Sequence, residues 1–144
     1  MAGIFEAKIR VAAKSIVPGT SGESSYTENV CILPANSYIL AVFGRVKTAF
    51  TGLTKPEVAL GVTGDTDLFM SPQSLDKTNE LLSGMATGVN AVTGLKGYCA
   101  AMNKAMVYSS AKPIIATFTS GSDTFDPTAG EVEFVVVYVD CNSY

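Results

Sequence analysis

Alternation of apolar and polar residues over short segments is the feature that most limits the folds open to this chain. At 4–11 the apolar side chains would share one side of an extended chain, and the charged side chains would share the other. A period of two is typical of a β-strand with one buried face. Comparable segments occur at 29–33, 38–50, 57–63, 112–120 and 131–140, and Gly, Pro, Asn and Ser separate most of them. With less regular segments such as 105–108 included, the count reaches seven or eight short strands, which predict an all-β fold, a single-domain sandwich or barrel.

The same patterns divide the 144 residues into three parts. Residues 1–17 are predicted to form an N-terminal arm or strand, 18–27 a flexible loop rich in Gly and Ser, and 28–144 the β-domain. A chain of this length is typical of one domain with its own core. The segments 38–43 and 131–140 are apolar on both sides, so we expect these strands to lie centrally in a sheet or to be covered. Gly44 predicts a bulge or a bend within its strand.

The region 77–110 departs from the strand pattern. Residues 75–82 predict a short helix that is capped near Ser74. Glycines at 84, 88, 94 and 97 follow, which predicts an irregular excursion over roughly 77–110, with a strand near 105–108. A long excursion in a compact domain is often functional or covered by a partner.

The residue types exclude most catalytic chemistry. The chain has no His and no Trp, so His-dependent triads and His-ligated zinc are excluded. No nucleophile-elbow motif and no phosphate-binding glycine motif occurs. With 10 Lys and Arg against 13 Asp and Glu, a nucleic-acid interface is not expected. The chain is therefore predicted to be non-enzymatic, with no cofactor, no metal and no nucleic-acid partner.

Acidic residues and cysteines have ordinary structural explanations here. Asp65 and Asp67 could bind a hard cation together, or they could serve an Asx-type turn. The sequence favours the turn over the cation site, because no further ligand follows at the spacing of a calcium loop. Cys31, Cys99 and Cys141 form no CxxC pair, which predicts free thiols in a reducing compartment. No signal-peptide pattern and no apolar run of about 18 residues occurs, so we expect synthesis in the cytoplasm and no membrane contact.

Two stretches, 32–70 and 113–139, carry a resemblance to a known class of proteins. They contain, in order, Pro-Ala at 34–35, Thr-Ala-Phe at 48–50, Leu-Gly-Val at 60–62, Gly-Asp-Thr-Asp at 64–67 and a last strand from Gly130 to Tyr138. This order resembles the small β-structured virion proteins of tailed bacteriophages, several of which are capsid decoration (cement) proteins. The resemblance implies a structural protein of the virion on the capsid surface, with the major capsid protein as its partner and a homotrimer as its assembly. It implies no catalytic residue.

The first residues indicate how such a protein could hold its partner. An arm at 1–14 could add a strand to the edge of a neighbouring sheet and bury Phe5, Ile9 and Val11 there. Alternatively, the arm forms a strand within its own domain.

Other virion functions stay open from the sequence. One is a receptor- or glycan-binding module of a tail or fibre, with Tyr26, Tyr98 and Tyr108 as candidate exposed aromatics. Another is a subunit of the tail tube or of the head–tail connector.

Overall fold

The computed structural model describes residues 8–83, 110–121 and 123–140, and these residues form eight β-strands and no helix. The strands are β1 (Lys8–Ile16), β2 (Ser25–Leu33), β3 (Ser37–Thr51), β4 (Glu57–Val62), β5 (Asp65–Ser74), β6 (Leu81–Ser83), β7 (Lys112–Thr119) and β8 (Ala129–Asp140). The predicted all-β class and the strand number are confirmed.

The eight strands form two four-stranded antiparallel sheets. The first sheet has the order β1-β8-β3-β6, and the second has the order β2-β7-β4-β5. Successive strands therefore alternate between the sheets, except that β4 and β5 form a hairpin within the second sheet. This is the strand order of a jelly roll, a sandwich of two Greek-key sheets. Between the two predicted forms, sandwich and barrel, the structure is a sandwich.

The core lies between the sheets and is centred on aromatic rings. Phe118 of β7 is fully buried, and its ring lies 5.9–6.4 Å from four other rings. Those rings belong to Tyr26, Phe50, Phe125 and Phe134. Since Phe50 and Phe134 come from the first sheet and Tyr26 from the second, the cluster joins the two layers by apolar burial and by tilted or offset ring contacts.

Polar contacts close the two open sides of the sandwich. On one side, Lys14 Nζ of β1 lies 3.1 Å from Glu28 Oε2 of β2 and donates a hydrogen bond to the Asn29 carbonyl at 2.7 Å. On the other side, the Gln73 side chain of β5 accepts from the Ser83 amide at 3.2 Å and donates to the Ser83 carbonyl. Each bridge pairs an edge strand of one sheet with an edge strand of the other.

The helix predicted at 75–82 is wrong, because β3 takes the backbone hydrogen bonds of this segment. The Val46 amide donates to the Glu80 carbonyl at 2.9 Å, and the Asn79 amide donates to the Val46 carbonyl at 2.7 Å. Leu75 is fully buried, and its carbonyl accepts from the Phe50 amide at 2.9 Å. A helix would need those groups for its own i to i−4 bonds.

For Gly44 the sequence predicts a bulge or a bend, and no bulge lies at this residue. Gly44 pairs regularly with Phe134, and the register of β3 shifts between Ile39 and Ala41 and again after Val46. A Cβ at position 44 would lie 3.1 Å from the side chains of Leu82 and Phe134. The glycine therefore allows close packing on the inner face of the first sheet.

Other boundaries differ by a few residues. β2 begins at Ser25 instead of 29, so it takes the last residues of the segment predicted as a loop. β5 begins at Asp65, directly after a two-residue turn in which Gly64 has a φ of 89°. The strand predicted at 105–108 and the part of the excursion at 84–109 lie outside the described residues.

Candidate interaction surface

The outer face of the first sheet carries an apolar patch that runs from one edge strand to the other. We call it the apolar face. It consists of Ile9, Val11, Ala13, Ala41, Phe43, Leu81, Val135 and Val137. The side chains of Ile9, Val11 and Leu81 are 68%, 65% and 77% exposed, and Phe43 is 48% exposed.

Strand register brings these residues together. Val11 pairs with Val137, which pairs with Ala41 on its other side. Ala13, Val135 and Phe43 form the next row in the same way. Directly paired residues of antiparallel strands project from the same face, with Cβ atoms about 4.5–5.5 Å apart. The rows are therefore continuous across three strands. On β6, Ser83 is opposite Phe43, and Leu81 is opposite Arg45 in the next outward-facing row.

β1 presents its apolar side outward and its charged side inward. Arg10 and Lys14 alternate with the exposed apolar residues and reach the side of the sandwich. Arg10 Nε lies 3.0 Å from Asp140 Oδ2, whose side chain is only 9% exposed. Lys14 makes the bridge to β2 described above. Arg10 and Lys14 thus each have an acidic partner, and the apolar side of the strand faces solvent.

The charged residues that continue the outer face lie beside residues of opposite charge. Lys47 Nζ lies 3.0 Å from Glu131 Oε2 and donates to Ser15 Oγ at 3.3 Å. Arg45 stands directly opposite Glu133 in the register of β3 and β8. Two cations and two anions therefore border the apolar face, and they add no net charge to it.

Two of the three residues predicted to bind a partner, Ile9 and Val11, lie on the apolar face. Phe5 lies outside the described residues. Residues 8–16 of the predicted arm pair with β8 of the same chain, and Ile16 is 1% exposed in the core. This part of the arm is thus a strand of its own domain, and partner binding by Ile9 and Val11 stays a prediction.

Sequence reasoning missed most of the apolar face. The signal was present, because 38–43 and 131–140 are apolar on both sides. This pattern predicts strands that either lie centrally in a sheet or are covered. β3 and β8 are indeed central in their sheet, yet Phe43 is half-exposed and Val135 and Val137 are only partly buried.

The acidic pair is not part of a metal-binding cluster in the described part of the chain. Asp65 and Asp67 are exposed on β5 rather than in a loop. Among residues 8–83, 110–121 and 123–140, no group of three His, Cys, Asp or Glu side chains could hold a metal ion.

Cys31 and Tyr26 are parts of the packing. Burial raises the pKa of the Cys31 thiol to about 11, so the nucleophilic thiolate is scarce at neutral pH. Tyr26 donates a hydrogen bond to Glu28 Oε1 at 2.8 Å and stacks on Phe125. The hydrogen bond to the Glu28 carboxylate raises the pKa of Tyr26, and partial burial raises it further. Tyr26 is therefore not the exposed aromatic that glycan stacking requires, and Tyr98 and Tyr108 lie outside the described residues.

Within the described ranges no helix is long and apolar enough to cross a membrane.

Comparison with known proteins gives likeness of fold. No protein-family model and no curated protein matches the chain. One similar solved structure is a chain of the cyanophage Pam1 capsid asymmetric unit, with a TM-score of 0.55, 15% identity and coverage of 96% of this chain and 89% of that one. A chain of the acidic stable capsid of Helicobacter pylori bacteriophage KHP30 has a TM-score of 0.57 and 12% identity, with coverage of 98% and 97%. A chain of the capsid of Ralstonia phage GP4 has a TM-score of 0.61 and 9% identity, with coverage of 94% and 86%.

These likenesses extend over nearly the whole of both chains in each pair. Each neighbour is therefore a chain of similar size, built from the same sandwich, rather than a large protein with one such domain.

Proposed function

We propose that this chain is a structural protein of a phage virion, and specifically a capsid decoration (cement) protein. It binds the outside of the assembled head and bridges neighbouring subunits of the major capsid protein. The observation that carries this proposal is the near-complete match to small chains of three phage capsids. Jelly rolls occur in viral capsid domains, but also in lectins and cupins, and a fold alone does not specify a function.

The apolar face gives the proposal its second support. A contiguous exposed apolar patch of a few hundred Å², such as this one, is often a functional interaction site. A decoration protein performs its function while it is bound to the particle, so we expect it to carry such an apolar contact surface.

The chain is proposed to act as a homotrimer on the capsid surface after synthesis in the host cytoplasm. Three linked copies would bind three equivalent capsid positions at once, and the second and third contacts would form at high effective concentration. Light scattering on the purified protein is expected to give three chain masses. A monomer at all concentrations would contradict the trimer.

Binding to capsids tests the function itself. Purified protein is mixed with particles of the phage that lack this chain, and the particles are sedimented. We expect saturable co-sedimentation and a higher temperature for disruption of the heads. No co-sedimentation with intact heads would contradict a decoration function.

A further inference from the structure

We propose that the chain attaches to the capsid through the apolar face, and not through the free edge of β1. The occupant is an apolar area of the capsid shell that carries little net charge. This inference rests on the proposed function and identifies the surface that performs it.

The inverted polarity of β1 is the first argument. An edge strand of a free-standing sandwich gains stability by turning its apolar side toward the core and its charged side toward water. β1 does the reverse over Ile9–Lys14. The inward cations need Asp140 and Glu28 as partners, whereas Ile9 and Val11 remain exposed. This arrangement stabilises the chain fully only when the outer side is covered.

The same cations argue against strand addition at this edge. Charged side chains that point inward on an edge strand are a known protection against pairing with another chain. Lys14 Nζ also holds the Asn29 carbonyl and the Glu28 carboxylate at the open side of the sandwich. A strand arriving beside β1 would have to pass these groups, whereas a surface arriving on the outer face would not.

The charged residues around the apolar face indicate what kind of partner surface binds there. Of the charged residues that border the apolar face, Lys47 is ion-paired with Glu131, and Arg45 lies opposite Glu133 in the strand register. A charged partner would gain little from them and would lose hydration. We therefore expect attachment that is largely insensitive to salt, in contrast to contacts made by exposed charges.

The area of the apolar face favours the capsid over a second copy of this chain as the partner that covers it. Four strands about 4.8 Å apart and some six residues of about 3.3 Å each give the apolar face roughly 300–400 Å². Two copies stacked through it would bury about 700 Å² in total, whereas stable specific interfaces bury about 1,200–2,000 Å². On a capsid, each subunit of an oligomer adds one such contact, and the sum is large enough.

Val11→Glu tests the surface, and Ile32→Glu is its matched control. Both residues are exposed aliphatic residues on edge strands, 65% and 62% exposed, but Ile32 lies on β2 in the other sheet. Phe43→Ser is a second variant on the apolar face, and circular dichroism and thermal unfolding check that every variant folds. We expect V11E and F43S to weaken capsid binding by about tenfold or more, as loss of a central interface residue does. I32E is expected to bind like the wild type, and wild-type affinity should change little between roughly 0.05 and 0.5 M salt.

The other outcomes separate the two proposals. If the wild type binds capsids and V11E, F43S and I32E all bind equally well, the apolar face is not the attachment surface, although the decoration function stands. If V11E and F43S lose self-association and keep their capsid binding, the face is a contact between copies and the inference is overturned. If the wild type does not bind capsids, the proposed function itself fails.

Discussion

Gly61 shows how a single residue fixes the shape of the second sheet. The pairing of β4 and β5 passes from Val62–Asp65 to Leu60–Met70, so the intervening residues of β5 bulge out. The backbone of Asp65 and Thr66 then lies directly over Gly61, where a Cβ would overlap it. The sequence pattern Leu-Gly-Val predicts the strand, but nothing local in it shows that the following acidic segment folds back over the glycine.

Gly61→Ala is therefore expected to destabilise the fold by about 1–3 kcal/mol, the usual cost of overpacking. Gly19→Ala is the control, because a Cβ at position 19 meets nothing within 4 Å; its effect should stay within about 0.5 kcal/mol. Urea unfolding of both variants measures the difference. Equal stability of the two variants would show that the β5 bulge does not rest on Gly61.

At the scale of elements, the four strands with the clearest apolar pattern were predictable, whereas the segment 75–82 was not. β3, β4, β7 and β8 lie within one or two residues of their predicted bounds. The sequence predicts a short helix over 75–82, capped near Ser74. Its backbone instead binds β3, and that competition between distant segments is invisible in a local pattern.

β6 is the element whose position depends most on side-chain contacts. It has three residues and pairs only with Phe43–Arg45 of β3. The Gln73 side chain bonds both backbone groups of Ser83. Gln73→Ala should therefore raise the hydrogen-exchange rate of the Ser83 amide by about tenfold, as loss of one or two net hydrogen bonds implies.

Gln73→Glu sharpens this test. A carboxylate still accepts from the Ser83 amide but cannot donate to its carbonyl. We expect the hydrogen-exchange rate of the Ser83 amide in Q73E to lie between the rates in the wild type and in Q73A. Unchanged exchange in Q73A would show that the pairing with β3 alone holds β6.

At the scale of the whole molecule, substitution of a core aromatic residue should lower stability, whereas substitution of an aromatic residue on the apolar face should lower capsid binding. Phe118 contacts four rings in the core, whereas Phe43 is half-exposed on the apolar face. Phe118→Ala should cost about 3–5 kcal/mol of unfolding free energy. Phe43→Ala should cost under about 1 kcal/mol, and it should weaken capsid attachment. Urea unfolding measures the unfolding free energy of both variants, and capsid co-sedimentation measures their binding. A large loss of unfolding free energy in F43A would assign Phe43 to the core instead.

The fold class was accessible from the sequence, and the apolar face was not. Alternation specifies strands, but it does not specify which sheet a strand enters or which face stays uncovered. Ile9 and Val11 were identified as contact residues on the assumption of a free arm. The structure places them instead on a continuous face with Val137 and Phe43, residues that are far away in the chain.

Copy number in the particle tests the central claim most directly. Quantitative peptide mass spectrometry on purified virions would give the ratio of this chain to the major capsid protein. The account predicts a ratio close to parity, since a decoration protein covers the whole head. A few copies per particle would indicate a tail or connector subunit, and absence from the virion would contradict the account altogether.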